Sequence, residues 1–232
     1  MNRINLSEEL ARIPTGISCI DSALAGGIER SIITEIYGEG GSGKTNLSLI
    51  ISLSALNSGG TVYYLDTEGV SVERIRQIAP GAGEMKRFYL YRIKSLEDQE
   101  LTLTKIERNI ERGQKPDLVV IDSFTEYFRL EKGGDPSARA NSMQKHLSIL
   151  LSVISGSGCA AVITNQIYQD VQTGSLEPFG GYVINHSVKA VYRIEKLPDT
   201  RRRIELVKHR SAPEGLNAVF RITGFGIECA PG

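Results

Sequence analysis

Along the chain, short runs of apolar and β-branched residues alternate with stretches whose apolar positions recur every three to four residues. The runs fall at residues 31–37, 61–66, 87–93, 117–122 and 159–166, lengths that suit strands. Helical spacing marks residues 44–57, 72–78, 95–112 and roughly 138–155, the third with Leu96, Leu103, Ile106 and Ile110 as its apolar positions. The run 117–122 is almost continuously apolar, as a central strand covered on both faces requires. Strands and helices in alternation predict a mainly parallel sheet flanked by helices. From residue 187 the pattern changes. Residues 188–194, 202–207 and 218–222 read as strands, with a turn at Leu197-Pro198-Asp199-Thr200, so an antiparallel β extension follows the parallel part. A short capped helix is expected within 18–24, bracketed by Gly16 and Gly26-Gly27, and residues 1–13 read as a polar lead-in where Leu6, Leu10 and Ile13 have helical spacing. At this length residues 1–232 are expected to form one α/β domain.

Composition restricts partners more than fold. The 27 Lys and Arg residues are balanced by 27 Asp and Glu, so attraction to a polyanion must come from local basic patches. Cys19, Cys159 and Cys229 are too scattered for a metal cluster and odd in number for a disulfide framework; they read as reduced core thiols of a cytoplasmic protein. Residues 1–14 carry charges throughout and lack the apolar centre of a signal peptide. There is no apolar run of about 18 residues of the kind that spans a bilayer.

The strongest chemical signal is Gly38-Glu39-Gly40-Gly41-Ser42-Gly43-Lys44-Thr45, set between a strand-like run and a helical segment. This is the phosphate-binding G-x-x-x-x-G-K-[ST] pattern in its required context. The glycines let successive backbone N–H groups face one point, and the following helix adds its positive end. Lys44 is placed to reach the β- and γ-phosphates of ATP, and Thr45 to hold Mg²⁺. Two strand ends add carboxylates. Glu68 follows the run 61–66, where an open parallel sheet binds ligands, although a solvated glutamate beside a helix cap fits that stretch too. Asp122 ends the run 117–122 and suits the acidic residue that supports Mg²⁺ in nucleotide hydrolases. Gln166 ends the next run, placed to bond a γ-phosphate and pass its presence to the loop 167–181, which reads as a ligand-responsive loop without regular structure.

Two basic clusters stay open. Arg129, Lys132, Arg139 and Lys145 lie near Phe128, which suits a phosphate backbone, but Glu131 and Asp135 dilute them and a solvated surface reads equally well. Lys208-His209-Arg210 reads either as a free strand terminus or as a cationic finger aimed at a phosphate. Arg201-Arg202-Arg203 reads as a solvated turn.

Taken in order, several short pieces resemble the RecA/RadA recombinase superfamily, and within it the archaeal paralogues of RadA. They are Arg12-Ile13-Pro14-Thr15-Gly16, Gly27-Ile28-Glu29, Ile33-Thr34-Glu35, the glycine-rich loop, Leu65-Asp66-Thr67-Glu68-Gly69, Glu73-Arg74-Ile75-Arg76, Thr164-Asn165-Gln166, Phe179-Gly180-Gly181 and Pro213-Glu214-Gly215. The resemblance implies a RecA-like P-loop NTPase core. It also implies Glu68 as the base that activates water, with Lys44 and Gln166 beside it in catalysis, and Arg74 over the adenine. Residues 131–137 and 167–179 then match two DNA-binding loops. Lys208 and Arg210 match a basic pair that acts across a subunit interface in bacterial relatives.

The resemblance implies an accessory of DNA repair and homologous recombination. Such a protein binds ATP and hydrolyses it weakly, binds DNA with single strands preferred, and assists or regulates the RadA recombinase. A Holliday-junction-cleaving endonuclease is implied as a further partner. RadA-type recombinases also carry a helix-hairpin-helix domain and a Phe-x-x-Ala hook. Here the first phenylalanine is Phe88, so polymerisation through that hook is not expected; the first of the two loops is short and partly acidic and the second abbreviated, so strand exchange is not expected either. A ring-forming DNA-stimulated motor and a scaffold that binds nucleotide only for stability remain as alternatives.

Overall fold

The computed structural model describes residues 11–79, 86–131, 135–169 and 176–231. In chain order the elements are β1 (Arg12–Ile13), α1 (Ser18–Ala23), β2 (Ile28–Glu29), β3 (Ile33–Gly38), α2 (Lys44–Asn57), β4 (Val62–Asp66), α3 (Val72–Ile78), β5 (Phe88–Arg92), α4 (Leu96–Glu111), β6 (Leu118–Asp122), α5 (Glu126–Leu130), α6 (Pro136–Ser157), β7 (Ala160–Gln169), β8 (Leu176–Pro178), α7 (Gly181–Ser187), β9 (Ala190–Lys196), β10 (Arg201–His209), β11 (Asn217–Thr223) and β12 (Gly226–Cys229).

One sheet runs in the order β12-β11-β10-β9-β3-β7-β6-β4-β5, with β8 added to β7. From β9 to β5 the neighbours are parallel, and β9 to β12 are joined antiparallel. Strand pleating divides the core. Leu118 and Val120 pack with Leu47 and Ile51 of α2 on one face, whereas Val119 and Ile121 pack with Leu103 of α4 and Leu147 and Leu150 of α6 on the other. Each such side chain contributes about 1.5–3 kcal/mol by leaving water. Helix starts follow capping chemistry. Ser95 accepts from the Asp98 N–H at 3.2 Å, and Asp135 accepts from the Ser137 N–H at 3.0 Å ahead of Pro136.

Three expectations change. Ile13 lies in β1, paired with Ile28 of β2 and buried, rather than in a helix; Leu6 and Leu10 lie outside the described residues. The stretch after Gln166 is more regular than its composition suggests. β7 continues to Gln169 and pairs antiparallel with β8, so Tyr168 stands opposite Glu177, and α7 follows. Pro178, Gly180 and Gly181 fall where β8 ends and α7 begins, whereas residues 170–175 of the expected loop lie outside the described residues.

The third change concerns sulfur. Cys19 and Cys229 form a disulfide, their Cα atoms 5.9 Å apart. Only Cys159 is a free buried thiol among the described residues, and burial pushes it up to about 11. A separation of 210 residues hid this pair, because α1 folds back onto the terminal strands β11 and β12.

Candidate functional site

The chain end of β3 turns through Gly38 to Gly43 into α2. Gly41 and Gly43 adopt φ of 72° and 110°, which side chains resist. A Cβ on Gly38 would stand 2.2 Å from the Ile194 carbonyl oxygen, and one on Gly43 would stand 2.8 Å from Ile222 Cδ1. Glycine is therefore required where β9 and β11 press on the loop. Lys44 Nζ curls back to donate to the carbonyls of Gly38 at 2.9 Å and Glu39 at 3.0 Å. Burial lowers its pKa, and the nearby carboxylates of Glu68 and Asp122 oppose that shift. An anion in the cradle would supply the charge this buried ammonium lacks. The buried Ser42 hydroxyl also has no hydrogen-bond partner among the described residues. Both features fit a bound phosphate group.

Asp122 ends β6 with its carboxylate buried, accepting from Tyr64 Oη at 2.7 Å and from Thr164 Oγ1 at 2.5 Å. These donors fix the carboxylate's orientation. Thr45 stands in the first turn of α2, and its hydroxyl and the Asp122 carboxylate are oxygen donors of the kind that would hold Mg²⁺. The next carboxylate is held differently. Asp66 side-chain oxygens accept from the N–H groups of Gly69 and Val70 at 2.8 and 2.9 Å, shaping the turn that projects Glu68 outward. Glu68 Oε1 accepts from Gln166 Nε2 at 2.7 Å. Partial burial raises the Glu68 pKa, and the hydrogen bond from Gln166 opposes it.

Arg129, expected near a DNA backbone, instead faces this site. Its Nη1 donates to Gln166 Oε1 at 2.9 Å, and Nη2 pairs with Glu126. Arg129, Gln166 and Glu68 thus form one hydrogen-bonded line. Arg139 donates to the Glu131 carbonyl at 2.9 Å, and Lys145 pairs with Glu100 at 2.8 Å; Lys132 lies outside the described residues. Arg74 reaches toward α2, where its Nε donates to Asn46 Oδ1 at 2.7 Å and its Nη1 to the Gly224 carbonyl at 3.1 Å.

Lys208 and Arg210 have separate partners. Lys208 Nζ donates to Asn185 O and Oδ1 at 2.7 and 2.9 Å at the end of α7. Arg210 Nε donates at 2.6 Å to the buried Glu29, which also pairs with Arg12 at 3.3 Å. His209 Nε2 lies 3.5 Å from the same carboxylate, and burial together with the Arg12 charge lowers the imidazole pKa.

Two further charged residues escaped sequence reasoning. Lys196, at the end of β9, pairs with Glu39 at 3.6 Å and hangs beside Gly41 of the glycine loop. Nothing local in the sequence signals that approach. Glu35 is the other. It is buried in β3 and accepts from Asn165 Nδ2 at 2.8 Å, while the same amide nitrogen donates to the Phe179 carbonyl at 2.7 Å. A carboxylate in an otherwise apolar strand was the available signal.

Burial pushes Glu35 up to about 7 from its ordinary 4.5, with Asn165 and Lys208 pulling it down. The unfolded chain ionises above 4.5 while the folded chain holds the proton to about 7, so stability falls as pH rises across that window. Glu35→Gln, which keeps the acceptor, is expected to be about 3 kcal/mol more stable than wild type near pH 8 and equal near pH 4. Urea unfolding at the two pH values checks this; an equal difference at both would refute it.

Comparison with known proteins agrees with this geometry. The Rad51 family model matches residues 6–230. A DNA repair and recombination protein RadB of Thermoplasma acidophilum is 49% identical over 229 residues, covering 99% of both chains. The RadB protein of Thermoplasma volcanium is 44% identical, covering 99% of this chain and 97% of its own. A crystal structure of the RadB recombinase superposes with a TM-score of 0.79 at 32% identity, covering 94% of this chain and all of that one. The chain therefore belongs to the Rad51 family, with a RecA-like α/β core, and within that family to the RadB group of DNA repair and recombination proteins.

Proposed function

We propose that this protein is an ATP-binding, weakly hydrolysing accessory of recombination that binds single-stranded DNA in preference to duplex. It assists or regulates the RadA recombinase in the cytoplasm without performing strand exchange itself. Gly38 to Thr45 would wrap the phosphates, and Thr45 and Asp122 would hold Mg²⁺, which would supply positive charge beside them. Glu68 orients and deprotonates the attacking water. Gln166 senses the γ-phosphate, with Arg129 fixing its amide.

The observation that carries this reading is the placement of Gln166. It bonds Glu68 on the nucleotide side and lies on β7, whose continuation forms the hairpin with β8. A change at the γ-phosphate can therefore move the segment that follows. The in-chain contacts of Lys208 and Arg210 favour slow turnover in a lone subunit, since a finger supplied in trans is worth about 10³–10⁵ in rate.

Affinity for single-stranded DNA, measured with a non-hydrolysable ATP analogue, with ADP and without nucleotide, tests the proposal. The analogue is expected to give the tightest binding, and co-sedimentation with RadA is expected to follow the same order. Equal affinities in all three states would remove the switch. Specific ATPase activity rising steeply with protein concentration would point to an oligomeric motor instead.

A further inference from the structure

β9 delivers a lysine to the glycine loop. The strand runs parallel to β3 with Ile194 opposite Gly38, so Lys196 lies two residues past the point where β3 turns into the loop. Strand alternation puts Lys196 on the same face as Tyr192 and Ile194, which belong to the core packed against α2. The side chain therefore leaves the sheet at its carboxyl end, where open parallel sheets hold ligands. A Cβ on Gly41 would meet Lys196 Nζ at 3.6 Å and Cε at 3.8 Å. The ammonium thus lies against the loop backbone.

The stem of this side chain is fixed while its tip is free to move. Lys196 is paired with Arg202 in the ladder between β9 and β10. Its ammonium makes one loose ion pair among the described residues, with Glu39 Oε2 at 3.6 Å, and the two side chains are 39% and 49% exposed. Such a solvated pair contributes little to stability, so a denser negative charge nearby displaces it. Arg129 is the other cation whose charge reaches Lys44, and it is already engaged by Gln166 and Glu126.

Lys196 already acts on the cradle electrostatically. Its charge adds to the lowering of the Lys44 pKa that burial begins. Two ammonium groups therefore converge on residues 38–45, one from α2 and one from β9, and an anion held in the loop relieves their repulsion. Asp122 and Gln166 approach from β6 and β7, on the other side of β3. The β9 flank is where a further cation is needed to match a polyphosphate.

We propose that Lys196 is a nucleotide-contacting residue supplied in cis, whose ammonium leaves Glu39 and bonds the phosphate chain of the bound nucleotide. The inference rests on the reading that residues 38–45 bind ATP, and it adds a second lysine of the same subunit to that site. Glu39 is the resting partner, which keeps the ammonium beside the loop until the nucleotide arrives.

Fluorescence titration of the full chain with an N-methylanthraniloyl ATP analogue tests this. Lys196→Met, which keeps the stem, is expected to weaken binding by about ten- to a hundred-fold, the range for losing a charge-assisted bond. Lys196→Arg should retain most of the affinity, and Glu39→Gln, which frees the lysine, should tighten binding. The decisive comparison is Lys196→Met made in the Glu39→Gln background. A lysine that bonds phosphate is missed there as much as in wild type, whereas one that only neutralises Glu39, or pins the loop through it, is not. Both side chains are exposed, so all four variants should melt as wild type does. Unchanged affinity in Lys196→Met, or a loss that vanishes in the Glu39→Gln background, would overturn the contact while leaving nucleotide binding intact. Wild type that fails to bind the analogue would overturn the underlying reading as well.

Discussion

Glu68→Gln is expected to lower the single-turnover rate of ATP hydrolysis by about 10²–10⁴-fold, the range that a positioned general base supplies, with ATP affinity nearly unchanged. The substitution is nearly isosteric. The amide oxygen can still accept from Gln166 Nε2, which now bonds Glu68 Oε1 at 2.7 Å, so the line from Arg129 through Gln166 survives. What disappears is the ability to take a proton. Partial burial raises the Glu68 pKa, which makes the carboxylate a stronger base than one in water. In wild type the rate should fall as pH drops through that raised pKa, because a protonated Glu68 cannot accept. Excess protein over radiolabelled ATP keeps even a slow rate measurable. A variant as fast as wild type would remove Glu68 from the chemistry and leave it as a partner that orients Gln166.

Much of this arrangement was readable because it depends on local rules. Residues 38–45 carry their geometry in their composition, since positive φ at Gly41 and Gly43 and the crowding at Gly38 admit little else. β6 was readable because burial on both faces forces a continuous apolar run, which here ends at the buried carboxylate of Asp122. The parts that escaped all depend on tertiary approach. Arg129 sits in an amphipathic, basic stretch, and nothing in its neighbours tells a DNA contact from a bond to Gln166 on β7. Lys196 reaches the glycine loop only because β9 pairs with β3. The β7–β8 hairpin was obscured by glycine and proline, which mark irregular loops and tight hairpin borders equally well.

Breaking the Cys19–Cys229 bond, by reduction or by Cys19→Ser, is expected to lower stability by about 3–5 kcal/mol. A cross-link that closes so long a loop restricts the unfolded chain strongly in the chain-entropy account. For a chain of this size the loss corresponds to a melting point lower by about 10–15 °C. The location adds to the effect. β12 is a four-residue edge strand that pairs with β11 alone among the described residues, and α1 is a six-residue helix without a side-chain cap. Neither is stable alone, and the bond joins them over the face of the sheet that packs against α2. Thermal melts with and without reductant check the prediction, with Cys159→Ser as a control that reductant should affect as it does wild type. Melting points that coincide in oxidised and reduced protein, with the bond confirmed by peptide mass, would show that α1 and β12 hold by packing alone.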